Sequence, residues 1–274
     1  MIEEEIRIEH DLEVLGGSRW RGSWARVMLV VLAMFAIGLV WHLVSTATAI
    51  SPLLLPPPGQ VGAAFSEFRA PLLEAAGVTL VEVIVGFALA VTIGVLISIG
   101  ITYSSFLRPI LYPMLVALHS IPKVAIAPLL LIWFGFGITS KMVVAFLVAL
   151  FPIVIETVAG LRFVDPELHE LAKTLRTPRL RRFWMIDFPS ALPYFFSGLK
   201  VGVSLAVVGA VIGEFLSADR GLGFILQSAA SLQQTDLAFA AAITVSAMSL
   251  TLFALVAALE WLLLPWARDS GTRV

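Results

Sequence analysis

The chain has no cysteine among its 274 residues. That excludes disulfides, thiolate metal sites and cysteine nucleophiles, and it leaves the redox compartment open. Charge is scarce too: Asp, Glu, Lys and Arg make up 14% of the residues and nearly cancel, for a net charge of −1. Such a balance says nothing about partners, and nothing in it points to nucleic acid. No GxxxxGK[ST] phosphate loop is present, so the chain cannot hydrolyse ATP by that mechanism. HExxH and GxSxG patterns are missing as well, and His10, His42, His119 and His169 form no metal-ligand spacing with carboxylates, which argues against an intramembrane enzyme and against a metal site.

What the chain does have is apolar sequence. Hydrophobic residues make up 59%, the mean hydropathy is +0.97, and the apolar runs reach the length that crosses a bilayer. The expected fold class is an all-α membrane protein with six transmembrane helices at about Val27–Val44, Val78–Ile101, Ile110–Phe136, Met142–Leu161, Leu192–Leu216 and Leu237–Leu264. The first run follows Arg19, Arg21 and Arg26 and precedes Ala47-Thr48-Ala49, the outline of a cleavable signal. An acidic start, MIEEEIRIEHDLE, the length of the run and the need for an even number of spans favour a retained helix.

Basic residues in the connections orient the spans. With the N-terminus inside, the inside segments hold Arg7, Arg19, Arg21, Arg26, Arg108, Arg162, Lys173, Arg176, Arg179, Arg181, Arg182, Arg268 and Arg273, and the outside segments only Arg69, Lys141 and Arg220. Both termini are therefore expected in the cytoplasm. The organisation that follows is a cytoplasmic segment 1–26, a transmembrane domain 27–266 containing a polar loop 162–189, and a cytoplasmic tail 267–274.

Two spans carry small residues at four-residue spacing. Gly86, Ala90, Gly94 and Ser98 line one stripe; Gly198, Gly202, Ala206 and Ala210 line another, where Gly209 and Gly213 add a GxxxG. Small residues let helix backbones approach closely, either within one subunit or at a dimer or moving seam. The third span, HSIPKVAIAPLLLIWFGFG, is interrupted by Pro122 and Pro128. Broken backbone at that depth is tolerated only where protein or a water-filled path satisfies the freed groups.

The polar loop contains ELHELAKTLRTPRLRRFW. Asp165 suits an N-cap and Pro166 the first helical position, while Leu168, Leu171, Ala172 and Leu175 recur at helical spacing on one face. Thr177-Pro178 should stop this helix, a short turn through Arg182 should follow, and Pro189 should open the fifth span. Two readings fit an amphipathic helix of this kind equally: a helix seated in a groove of another protein, or one lying on anionic lipid.

The loop resembles the EAA loop of ABC-importer membrane subunits, whose pattern is Glu-Ala-Ala, three residues, Gly, nine residues, then Ile-x-Leu-Pro. Here Glu170-Leu171-Ala172 stands for the triplet, Arg176 occupies the glycine position, and Ile186-Asp187-Phe188-Pro189 ends the pattern. PKVAIAPLLLIWFGFG, FPSALPYFFSGLKVG and GAVIGEFLSADRGLGFIL resemble the branch that includes nitrate, sulfonate, taurine and thiamine-pyrimidine importers. The resemblance covers nearly the whole chain after about Pro56. It implies a type I importer-like permease in a prokaryotic inner membrane, paired with a second permease copy. Leu168, Glu170, Leu171, Ala172, Leu175 and Arg176 would couple it to a cytoplasmic ABC ATPase that holds ATP and Mg, and an extracytoplasmic solute-binding protein would deliver the solute.

Ionisable residues inside spans are costly, on the order of 2.5 to 3.5 kcal/mol at mid-bilayer on insertion scales, so they usually face protein or water. Lys123 and Glu214 are candidates for lining the path or for a subunit contact, and His119 and Ser120 for ligand-facing donors beside the break. Lys200, Glu156 and Glu82 sit near span ends, where side chains snorkel. A secondary transporter or channel without an ATPase is the main rival; it calls for inverted repeats or paired midplane charges, and neither is evident.

Overall fold

The computed structural model of the chain describes residues 23–47, 51–164, 166–217 and 219–267. These residues form helices and their connections, with no strand among them. That is what lipid demands of a backbone whose polar groups must pair within each element. The chain divides into two compact units, Met1–Gln60 and Val61–Val274.

In the first unit, α1 (Ser23–Ala47) is followed by the proline-rich connection, and the Trp41 indole N–H donates to the Pro56 carbonyl at 3.1 Å. Helix α2 (Pro58–Glu67) opens on a proline, which is pre-organised for the first helical position. Beyond it run α3 (Arg69–Tyr103), α4 (Arg108–Ser120), α5 (Lys123–Phe134), α6 (Ile138–Arg162), α7 (Pro166–Thr174) and α8 (Arg179–Arg182). A π-turn (Phe183–Asp187), α9 (Phe188–Ser217), α10 (Leu222–Ser231) and α11 (Thr235–Leu263) follow, with a 3-10 turn (Pro265–Ala267) last among the described residues.

Five stretches are long and apolar enough to cross a membrane: Met28–Ala47, Arg69–Tyr103, Ile138–Arg162, Leu180–Ser217 and Thr235–Leu263. The remaining crossing is the broken one. At 13 and 12 residues, α4 and α5 reach only about 20 Å each at 1.5 Å per residue, short of the ~30 Å hydrocarbon core. Pro122 caps α5 in an extended conformation, and the ladder resumes with Ala125 N–H donating to the Pro122 carbonyl at 2.9 Å.

The fifth span departs from expectation. Instead of opening at Pro189, helical structure runs unbroken from Arg179 through the π-turn into α9. Pro189 donates no N–H, and its ring crowds the carbonyl four residues back, at Met185. The helix absorbs this by widening: Phe188 N–H reaches the Phe183 carbonyl, five residues away.

Helix α6 is the centre of the second unit. Ala145, Ala149, Ile153 and Val154 on it are buried against Val83 and Ala90 of α3 and Phe196, Val203, Ala206 and Ala210 of α9. The outer faces of α3 and α11 keep large apolar side chains exposed, among them Leu73, Leu96, Leu250 and Trp261, the surface a bilayer covers.

Candidate functional site

The polar loop folds as the amphipathic pattern requires, with one refinement. Helix α7 begins at Pro166, while the expected cap, Asp165, lies outside the described residues. Leu168, Leu171 and Leu175 stay exposed, whereas Ala172 turns inward and is 4% exposed; Glu170 is exposed. The end of α7 explains Ala172. Thr177 N–H donates to the Ala172 carbonyl at 2.9 Å and Arg176 N–H to the Lys173 carbonyl at 3.0 Å, the paired bonds of a Schellman motif. Arg176 sits at the left-handed position of that motif, with φ 49°. An arginine thus holds the conformation that the family pattern gives to glycine.

Both small-residue stripes face α6. A Cβ on Gly86 would meet the Ala145 Cβ at 2.7 Å, and one on Gly94 would meet Ile153 at 3.1 Å. On α9, a Cβ on Gly198 would lie 2.9 Å from the Glu156 Cβ, on Gly202 2.8 Å from Ile153, on Gly209 2.8 Å from the Ala145 Cα, and on Gly213 3.0 Å from the Lys141 Cα. Ala90 is fully buried in the same core.

At the opposite end of the spans from α7, charged residues from four segments converge. Thr79 and Glu82 on α3, Lys141 on α6 and Glu214 on α9 are all buried. Thr79 O–H donates to Glu214 Oε1 at 2.6 Å and Gly223 N–H to Glu214 Oε2 at 2.6 Å. Leu222 N–H in turn donates to the Thr79 hydroxyl at 2.9 Å. Lys141 Nζ pairs with Glu82 at 3.4 Å and with Asp219 at 2.6 Å, and also donates to the Arg220 carbonyl at 3.1 Å. Burial alone would raise the Asp219 carboxyl, but the hydrogen bond and charge of Lys141 outweigh it and hold it below the usual carboxylate range. Gly221, at φ 110°, lies so close to the Glu214 carboxylate that no Cβ fits.

Glu82 therefore does not snorkel at its span end; it is enclosed beside Lys141. Lys200 finds a carboxylate instead of reaching for water alone, pairing with Glu260 at 2.7 Å. Glu214 is enclosed by α3 and the 219–223 turn. His119 and Ser120 end α4 and Lys123 opens α5, but their side chains lie outside those described. Sequence reasoning missed the role of Lys141, which it read as a loop residue, and with it Thr79 and Asp219. The only signal for the cluster was the ADRGLG turn following a buried acid. Among the described residues no group of His, Asp and Glu is arranged to hold a metal ion.

Residues 90–263 match the family described as "Binding-protein-dependent transport system inner membrane component". The chain is 35% identical over 262 residues to the riboflavin transport system permease protein RibX of Chloroflexus aurantiacus, covering 95% of this chain and 96% of that one. It is 34% identical over 238 residues to a probable ABC transporter permease protein of Haemophilus influenzae, covering 87% and 96%. To the taurine transport system permease protein TauC of Escherichia coli it is 31% identical over 256 residues, covering 90% and 93%. A broken third span, a polar loop with the EAA outline and a match across most of the chain agree, and the protein belongs to the inner membrane permease family of binding-protein-dependent ABC importers.

Proposed function

We propose that this chain is the membrane-spanning permease subunit of an ATP-driven importer, with both termini cytoplasmic and α7 seated on a separate cytoplasmic ABC ATPase. ATP and Mg are held by that ATPase. A solute-binding protein delivers a small polar or anionic organic solute of the sulfonate, nitrate, taurine or vitamin-precursor class at the outer face, and a second copy of the chain completes the path. His119, Ser120 and Lys123 line it at the break between α4 and α5, where freed backbone groups need water or protein. Glu214 belongs in this conformation to the buried cluster, not to the path.

The observation that carries the reading is the geometry of α7. Its Schellman closure holds a nine-residue helix whose leucines at 168, 171 and 175 are exposed, and the chain runs from its neighbour α8 into α9 without a helical break. An exposed apolar ridge on a short charged helix fits a groove in another protein, and the unbroken helix beyond it gives movement of that ridge a route into a span. Binding of nucleotide shifts the spans only if the ATPase contacts their two arrangements differently.

Copurification tests the proposal. Leu171→Asp with Leu175→Asp changes only exposed positions and leaves the buried Ala172 in place. The pair is expected to abolish association with the host's ABC ATPase in mild detergent while dimerisation and melting temperature stay unchanged. Undiminished association would put α7 on lipid and overturn the reading.

A further inference from the structure

The π-turn joins the loop to a helix far away in sequence. Its last residue, Asp187, is 2% exposed and accepts a hydrogen bond from the Tyr103 hydroxyl at 2.8 Å. Arg182, the end of α8, lies with its Nε 3.6 Å from the same carboxylate oxygen. Tyr103 is the final residue of α3. Its ring also meets the Phe183 ring edge-on at 5.6 Å, and Phe183 packs on Trp184 and Phe188. Both ends of the π-turn are thus fastened to one tyrosine. Widening of the helix inserts one extra residue into the turn, and π-bulges occur frequently at functional sites.

Helix α3 carries the consequence across the membrane. Twenty-one residues before Tyr103 stands Glu82, beside Lys141, and Thr79 holds both Glu214 and the backbone of Leu222. At 1.5 Å per residue that separation is about 30 Å, the thickness of the hydrocarbon core. One rigid helix therefore touches the coupling loop at one end and the buried cluster with its turn at the other. Packed elements of this kind pass a displacement on as rigid bodies.

We propose that Tyr103 and Asp187 are positioning residues that tie the loop to α3, so that nucleotide-driven movement of α7 and α8 is delivered to the outer end of α3. Asp187 stands at the unspecified position of the Ile-x-Leu-Pro pattern, so the family motif does not call for it. This inference rests on the proposed partnership with an ABC ATPase, and it makes α3, besides α9, a moving part.

The test uses the full chain assembled with the host's ABC ATPase. Because the chain has no cysteine, a spin label at Leu80→Cys, an exposed site on α3 beside the cluster, reports α3 alone. Trapping with ATP and vanadate should change the label's spectrum in the otherwise unaltered chain. Tyr103→Phe keeps the ring contact and removes only the hydroxyl; it is expected to cut that change by at least half with ATPase association and vanadate trapping intact. Asp187→Asn still offers an oxygen to Tyr103 and should retain the change, whereas Asp187→Leu should lose it. An undiminished change in Tyr103→Phe, no change without the Tyr103 substitution, or a Tyr103→Phe chain that no longer folds would overturn the proposal, the last because the contact would then only hold the fold. Failure of the ATPase to assemble at all would instead strike the proposed function, and this inference with it.

Discussion

Arg176 adopts a left-handed backbone conformation that costs an L-residue about 1–2 kcal/mol. The Schellman bonds at Arg176 and Thr177 hold it there, along with burial of Ala172. Arg176→Gly removes the Cβ conflict but adds freedom to the unfolded chain, so the net gain should be about 0.5–1 kcal/mol. The expected outcome is slower hydrogen exchange at the Thr177 amide in Arg176→Gly and faster exchange in the β-branched Arg176→Val; equal exchange in all three would show that the turn stores no strain. The sequence pointed to this residue because the spacing from Glu170 to Pro189 leaves only Arg176 at the glycine position. It did not announce Ala172's inward turn, since helical periodicity places that residue on the leucine face and only the closure of the helix end separates them.

At the scale of elements, the two glycine stripes were legible as spacing, but their partner was not. Four-residue repeats state that a helix has a smooth side; they do not say which helix lies against it, and both stripes meet α6. Backbone approach sets the cost of change there. Gly209→Ala would place a Cβ 2.8 Å from the Ala145 Cα and 3.0 Å from the Val144 carbonyl oxygen, neither of which can rotate away. A loss of about 1–3 kcal/mol is expected, the range for overpacking. Gly77→Ala on α3 meets nothing within 4 Å and should be neutral or gain up to about 1 kcal/mol of helix propensity. Unfolding of both variants in mixed micelles checks the contrast, and equal losses would mean that propensity, not contact, governs. The continuity of α8, the π-turn and α9 was hidden for a related reason: Pro189 marks the start of α9 to within one residue, but nothing in the spacing says that the helix before it widens and lets helical structure pass the proline.

The whole molecule divides into what periodicity can reveal and what it cannot. Apolar run lengths located the crossings, and Pro122 located the break, because hydrocarbon imposes length and backbone pairing on every span. The cluster of Glu82, Lys141, Glu214 and Asp219 joins residues up to 137 positions apart (219 − 82), and nothing local marks them as partners. Its energetics follow from which members reach water. The Asp219 side chain is half exposed and can be solvated if Lys141 is lost, whereas Glu82 is fully enclosed. Lys141→Met therefore leaves the enclosed Glu82 carboxyl without its partner and should cost about 1–3 kcal/mol, the penalty for a buried polar group left unpaired. Adding Glu82→Met removes the unpaired carboxyl and should recover most of that loss, because replacing both partners of a buried polar contact by apolar groups of similar shape is nearly neutral. Unfolding free energies of the single and double variants decide the point. If the double variant were no more stable than Lys141→Met alone, the cation's value would lie in holding Asp219 and the Arg220 carbonyl, and the turn at Gly221, not Glu82, would be the element it secures.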